Sequence, residues 1–332
     1  MCALLPDLLG AAAGWPLGSP PWPSEIADDH SPVEYSVAFD QHGVPTLRLL
    51  VECVADAPSP LGNQIAALSA VHALSAKVPL SIERLADVAG PFLTSTPAEP
   101  FSVWFSLVAR PDTGPMLKVY LNPHARGRAQ AGDLVATALD RIGFIGGERT
   151  IRAALRGLST VDDYSFFALD LDDRPDARAK VYVSHTAATT ADACRAAAVS
   201  RDGDPAEVAE FCAAAAGTDG PCQGRPLVSA YTFLPGDGAV PSGYSLYVPI
   251  RDYVGDDAEA LARTMSLAKR YGLPDTAVRA AVDAVRGRDL ADGRGLIAHL
   301  SLRTGPPHPG MTVYLSSEAY GVTTARHRVG AA

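Results

Sequence analysis

Cations and phenols recur in this chain at matched places. Arg48, Lys118 and Lys180 each stand second in a short alternating segment, at residues 47–52, 117–122 and 179–184. Ser245 and Thr312 hold the same place in residues 244–249 and 311–316, so the marks are spaced by 70, 62, 65 and 67 residues. Two residues beyond the mark, four of the five copies carry a tyrosine: Tyr120, Tyr182, Tyr247 and Tyr314. Arg178 and Arg303 fall on the same polar parity. Lys and Arg donors converging from several segments suit a phosphate or diphosphate. A ring of π-faces beside them stabilises a cation by roughly 0.5–2 kcal/mol per contact and keeps water away. An anion holder next to an aromatic cage is what ionisation of an allylic diphosphate requires, since the diphosphate departs and the carbocation must be shielded.

Such residues converge only if the segments carrying them are strands of one closed structure. Alternation puts Leu and Val on one face and the cations, hydroxyls and tyrosines on the other, and a nearly fixed period means one unit used repeatedly. Each segment follows a second run, at residues 33–40, 101–109, 164–171, 228–234 and 296–302. Gly, Pro and Asp clusters such as Gln41-His42-Gly43 and Arg110-Pro111-Asp112-Thr113-Gly114 join the two as hairpins. Helical stretches at 62–76, 81–88, 131–142, 149–158, 191–199, 205–215, 258–271 and 276–285 fill the gaps, with Ser81, Asp204 and Asp275 expected at their starts. The unit is helix–strand–strand–helix, used five times. Ten tilted strands close a barrel wider than the eight-strand size that side chains just fill. The expected fold is therefore α+β: ten antiparallel strands around a central cavity inside an outer ring of helices, with the aliphatic face turned out. Parity then sends Glu34 and Ser36, Trp104, and His299, Ser301 and Arg303 inward. For residues 164–171 and 228–234 both faces are mixed and parity is not assigned.

The rest of the sequence narrows the function. The 332 residues read as a single domain, with a repeat core over about 31–320 and an N-terminal extension, 1–30. A net charge of −9 argues against a nucleic-acid or anionic-membrane surface. Cys2, Cys53, Cys194, Cys212 and Cys222 are odd in number and lack metal-ligand spacing, which suits reduced thiols in the cytoplasm. Residues 1–22 have no basic residue before their apolar part and are broken by prolines, unlike a secretory signal, and no run is long and apolar enough to span a membrane. Asp172-Asp173-Arg174-Pro175-Asp176 resembles an aspartate-rich magnesium motif, but it falls between two strands, where Asp and Pro belong to a turn.

The helix–strand–strand–helix barrel carries Ser31-Pro32-Val33-Glu34-Tyr35-Ser36, Leu117-Lys118-Val119-Tyr120-Leu121-Asn122-Pro123, Arg178-Ala179-Lys180-Val181-Tyr182, and Arg303 before Thr312-Val313-Tyr314. In that order it resembles the bacterial indole aromatic prenyltransferases of the dimethylallyltryptophan synthase type, whose fold is called the ABBA or PT barrel. The resemblance implies that a glutamate at Glu34 accepts a hydrogen bond from the indole N–H and assists proton removal. It further implies that Arg48, Lys118, Arg178, Lys180 and Arg303 hold the diphosphate, and that Tyr120, Tyr182 and Tyr314 shield the cation, with Tyr247 as a further shield. No cofactor is then required, magnesium stimulating at most, and the enzyme is a monomer or homodimer in the cytoplasm. The chain departs from the pattern in having Ser245 where relatives often carry a longer amide, and no lysine in residues 101–109, where some members use one as the final base.

The chemistry of the residues agrees with that resemblance. A carboxyl facing a partly apolar cavity has its pKa raised and can act as a base near neutrality. The bland alternative pairs Glu34 with Arg48 across the first hairpin. Trp104 either stacks on the acceptor or fills one end of the barrel, and His299 is either structural or in contact with the acceptor. The expected reaction is electrophilic transfer of a dimethylallyl or longer prenyl group from its diphosphate to the indole of tryptophan or a tryptophan-derived small molecule. The rival readings are the same barrel acting on a phenol, naphthalene or quinone, a non-catalytic isoprenoid carrier, and a structural repeat protein with a packed lumen.

Overall fold

The computed structural model describes residues 3–40, 44–97, 99, 101–109 and 114–326; Cys2 and most of the first two hairpin turns (41–43 and 110–113) lie outside them. The strands are β1 (Val33–Asp40), β2 (Thr46–Glu52), β3 (Val103–Val108), β4 (Met116–Leu121), β5 (Asp162–Asp170), β6 (Ala179–His185), β7 (Leu227–Phe233), β8 (Gly243–Val248), β9 (Gly293–Arg294), β10 (Ile297–Thr304), β11 (Gly310–Ser316) and β12 (Thr323–Thr324). Ten of them close a barrel in the order β1-β11-β10-β8-β7-β6-β5-β4-β3-β2, and β9 pairs with β12 beside it. Every pairing in the barrel is antiparallel, as hairpins joined edge to edge require.

The helices are α1 (Leu5–Leu9), α2 (Pro60–Ser75), α3 (Ile82–Ala89), α4 (Ala131–Arg141), α5 (Gly147–Arg152), α6 (Thr190–Ala197), α7 (Pro205–Ala216), α8 (Asp257–Arg270) and α9 (Asp275–Asp283). The hydrophobic core is the annulus between them and the outer face of the sheet. Val51, Phe105, Val119, Phe167, Val181, Leu246, Leu300 and Val313 pack there against Val71, Leu74, Val135, Leu139, Phe211 and Leu267. Each fully buried aliphatic contributes about 1.5–3 kcal/mol, so the annulus holds the barrel closed and leaves the lumen free to be polar.

Three local expectations are corrected. α5 ends at Arg152, not 158, because Gly157 accepts backbone bonds from Thr160, Val161 and Asp162 in a turn, and Asp162 takes the Arg156 N–H at 2.6 Å. Ser81 precedes α3 without a side-chain cap, and its N–H goes to the Leu171 carbonyl. Pro274 holds the cap position of α9, so Asp275 lies inside the helix and acts through charge near its N-terminus. Asp204 does cap α7, accepting from the Glu207 N–H at 3.0 Å. The aspartate-rich segment is the β5–β6 turn, with Asp172 accepting from the Arg174 N–H and guanidinium.

Residues 3–30, expected as an extension, pack on the barrel. Leu8 is buried in the core, Trp22 Nε1 donates to Glu52 Oε1 at 3.1 Å, and Ile26 and Ala27 cover Phe101 and Trp104 at one end.

Candidate active site

The five cations meet in the lumen. Arg48 pairs in register with Ser36, Lys118 with Ser106 and Asp170, Lys180 with Ala168 and Thr232, and Arg303 with Ser245. Arg48, Lys118, Arg178, Lys180, Arg303, Ser245, Ser301 and Thr312 line one cavity of about 60 Å³ together with all four tyrosines. That is room for a few water molecules, and the polar side chains themselves fill most of the space between the strands.

Asp170 is the carboxylate at the centre of this layer, and Asp40 acts on Arg303 through its charge. Asp170 lies 3.0 Å from Lys118 Nζ and accepts from Arg178 Nε at 2.8 Å and from the Arg178 N–H at 3.1 Å. Burial would raise its pKa, but Arg178 and Lys118 outweigh burial and hold the carboxyl far below the usual range. Arg48 and Lys180 form no ion pair with any described carboxylate, and Arg303 Nε donates to the His308 carbonyl at 2.6 Å. Burial, then repulsion by Lys118, Arg178, Arg303 and Arg48, drives Lys180 well below the normal lysine value. Burial, opposed by Asp170, brings Lys118 to about 8. Even with Asp170 and Asp40 counted against them, the five cations are in excess, a layer set up to receive a polyanion.

The tyrosines form the next layer. Tyr120, Tyr182, Tyr247 and Tyr314 stand in an arc with neighbouring ring centroids 5.8, 5.8 and 5.7 Å apart. In the first copy Leu50 takes the tyrosine place and lines the same cavity. The parity left open for the two mixed strands resolves here. Phe166, Ala168 and Asp170 face in from β5, where a bulge between Tyr164 and Phe166 had blurred the alternation, and Val228, Ala230 and Thr232 face in from β7. Burial raises the Tyr120 phenol to about 12, so the rings present neutral π-faces at physiological pH.

Glu34, Trp104 and His299 do not line that cavity, but they share rungs with the tyrosine positions: Trp104 pairs in register with Tyr120, His299 with Tyr314 and Glu34 with Leu50. Glu34 is opposite Leu50 and Ser316, and its Oε1 is 3.9 Å from His299 Nδ1. It forms no ion pair with Arg48; the cation that acts on it most strongly is Arg251. Burial raises the carboxyl to about 8, opposed by the Arg251 charge and reinforced by Asp28. Burial, then Arg251 and Arg225, drives His299 well below its usual value, so the imidazole is neutral. Trp104 stacks on Phe101 with centroids 4.1 Å apart, tilts against Phe166 at 5.7 Å, and keeps its Nε1 buried with no hydrogen-bond partner among the described residues. Sequence reasoning missed Arg251, Asp28, Arg225, Phe101 and Phe166. Arg251 comes four residues after Tyr247, beyond the repeating strand, and Asp28 has no motif.

A closed ten-stranded barrel with a cationic layer and a tyrosine layer inside it defines an aromatic prenyltransferase. The fold is shared with NotF prenyltransferase at a TM-score of 0.74, over 90% of this chain and 83% of that one, with 20% identity. The tryptophan dimethylallyltransferase family model matches residues 4–282. The chain belongs to that family, and it is an enzyme. It is 45% identical to 6-dimethylallyltryptophan synthase from Micromonospora olivasterospora, whose crystal structure is a complex with DMASPP and Trp, over 97% of this chain and 92% of that one at a TM-score of 0.93. It is 36% identical to PriB in a ternary complex with L-tryptophan and dimethylallyl thiolodiphosphate (TM-score 0.89, 99% and 92% covered). It is 35% identical to 5-dimethylallyl tryptophan synthase from Streptomyces coelicolor (TM-score 0.89, 99% and 91% covered). Among the described residues no helix is long and apolar enough to cross a membrane.

Proposed function

We propose that this chain transfers the dimethylallyl group of dimethylallyl diphosphate to carbon 6 of free L-tryptophan. The observation that carries this reading is the convergence of five cations and four tyrosines in one lumen, with Glu34 facing in from the rung of Leu50, which takes the tyrosine place in the first copy. Arg48, Lys118, Arg178, Lys180 and Arg303 take the diphosphate, whose C–O bond breaks with the electron pair leaving on oxygen. Tyr120, Tyr182, Tyr247 and Tyr314 flank the allyl cation, each π-face contributing roughly 0.5–2 kcal/mol. Ionised Glu34 accepts the indole N–H and stabilises the arenium that forms when the ring carbon attacks. The proton on that carbon then passes to an oxygen of the departed diphosphate, held in the same lumen, and aromaticity returns. Trp104, with Phe101 and Phe166, walls the acceptor side. No cofactor is required, since the excess lumen cations offset the leaving-group charge, and magnesium at most stimulates. The enzyme acts in the cytoplasm.

Tryptophan and the dimethylallyl donor are supported by the ligands named for the relatives at 45% and 36% identity, and position 6 by the product named for the more similar of them. The test is incubation of the purified protein with L-tryptophan and five- or ten-carbon prenyl diphosphates, with and without EDTA, followed by mass spectrometry and NMR of the product. A five-carbon adduct at carbon 6, undiminished by EDTA beyond a few-fold, is expected. Pyrophosphate release only with phenolic acceptors, or none, sinks the reading; substitution at carbon 5 sinks its regiochemistry.

A further inference from the structure

The β5–β6 hairpin supplies two charged groups of the cation layer, and both stand where its ladder ends. Asp170 is the last residue of β5, and Arg178 directly precedes β6. Their main chains are bonded, the Asp170 N–H donating to the Arg178 carbonyl at 2.9 Å. Beyond them the Leu171 N–H still reaches the Leu117 carbonyl at 2.9 Å, but the two arms part into the turn, and the ends of a ladder open most readily. Yet the Asp170 carboxylate has to keep both Lys118 and Arg178 in place, at 3.0 and 2.8 Å.

A residue from outside the barrel grips this end. Arg84, half-buried in the first turn of α3, donates Nη1 to the Asp170 and Asp172 carbonyls at 3.2 and 3.1 Å, and Nη2 to the Ala177 carbonyl at 3.4 Å. One guanidinium therefore holds both arms of the hairpin. The Ser81 N–H takes the carbonyl between, that of Leu171, at 3.1 Å. A planar fork of five donors can bridge several carbonyls at once, which the point charge of an ammonium does less well. Arg84 does not line the lumen cavity. Its route to a bound anion runs through the backbone of Asp170 and of the residue before Arg178.

We propose that Arg84 is a positioning residue of the diphosphate site: it fixes the ends of β5 and β6, so that Asp170 keeps Lys118 and Arg178 aimed into the lumen. This rests on the cation layer being where the diphosphate is held. A carboxylate drifting on a loosened turn would release both cations together. Misplacement by about 1 Å, caused from outside a site, can cost about 10²-fold in rate.

The test measures the Kd of inorganic pyrophosphate by calorimetry, and KM for dimethylallyl diphosphate and for L-tryptophan, well below the Tm of each protein. Wild type is compared with Arg84→Met, Arg84→Lys, Asp170→Asn and the Arg84→Met/Asp170→Asn double variant. Arg84→Met should raise the pyrophosphate Kd and the donor KM by about 10-fold, the scale of a charged hydrogen bond. The KM for L-tryptophan should stay unchanged, and Arg84→Lys should recover part of the loss. On top of Asp170→Asn, the Arg84→Met change should have little further effect, because residues that act through one another are not additive. A lower Tm with an unchanged pyrophosphate Kd would show that Arg84 only staples the fold, and would overturn the inference. So would a full effect of Arg84→Met in the Asp170→Asn background. Should Arg84→Met or Asp170→Asn fail to fold, Arg84→Lys decides alone: a rise in donor KM only supports the inference, and equal changes or none overturn it. A wild type that binds no pyrophosphate overturns the reading of the cation layer itself, which is a distinct result.

Discussion

Glu34 and Lys118 occupy one lumen, and burial moves them in opposite directions to the same place. The carboxyl rises to about 8 and the ammonium falls to about 8. Their proposed roles require the deprotonated form of the first and the protonated form of the second. The fraction of ionised Glu34 grows as pH rises, whereas that of charged Lys118 shrinks. Because kcat/KM reports groups on the free enzyme, its pH profile should be a bell that rises as Glu34 ionises and falls as Lys118 and the more strongly depressed Lys180 lose their protons. Saturation with donor should push the alkaline limb upward, since a diphosphate favours the charged lysine. Glu34→Gln should abolish the acid limb and lower kcat by about 10²-fold or more. An acid limb surviving in Glu34→Gln would show that another group titrates.

Strands carry the second kind of constraint, since whatever faces out must satisfy the helices. Most outward positions are aliphatic, but Asp162 on β5 and its partners form a polar lace. Its carboxylate accepts from Arg156 Nε and Nη2 and from His185 Nδ1 at 3.0, 2.6 and 2.9 Å. His185 Nε2 reaches Ser229 Oγ at 2.8 Å, and that oxygen meets the Tyr244 hydroxyl at 2.7 Å. Four consecutive strands, β5 to β8, are tied in this way. Burial would raise the Asp162 pKa, but the His185 and Arg156 bonds outweigh burial and hold it below the normal range. A depressed carboxyl stabilises fully above its unfolded value, near 4, and loses that contribution as pH falls toward its folded value. Asp162→Asn should cost about 3 kcal/mol or more in urea unfolding at pH 7. The gap from wild type should shrink at pH 3. A constant gap across that range would remove the ionic explanation.

The whole molecule separates its charges. It carries −9 overall, yet its centre holds five cations against Asp170 and Asp40. Folding therefore concentrates repulsion that a bound anion relieves. Inorganic pyrophosphate at about 100 times its Kd should stabilise the fold by about 2.7 kcal/mol, seen as a rise in Tm that weakens with salt. Lys180→Met removes a cation that burial, then its cationic neighbours, drives well below the normal lysine value. In the absence of ligand its Tm should match or exceed wild type, while the pyrophosphate-induced rise should shrink. A lower Tm with an intact rise would mean that Lys180 supports the fold and not the anion.

Alternation and period were readable because they are local. Arg48, Lys118 and Lys180 mark a two-residue rhythm, and any strand with one greasy face must turn that face to a core, which fixed the cations, Tyr120, Tyr182, Tyr247, Tyr314 and Glu34 on the opposite side. Where the rhythm breaks, at the β5 bulge and on β7, nothing local assigned Phe166 or Ala230 to the lumen, and ladder pairing did so. Cap geometry at Ser81 and Asp275 also turned on neighbours in space. The end of the barrel was not legible in the chain at all. Arg251 follows a strand, Asp28 comes from the N-terminal segment, and they meet only because closure of ten strands leaves an open end that distant pieces must cover. Backbone periodicity specifies faces, but which remote charges share a buried volume is set by the closed sheet.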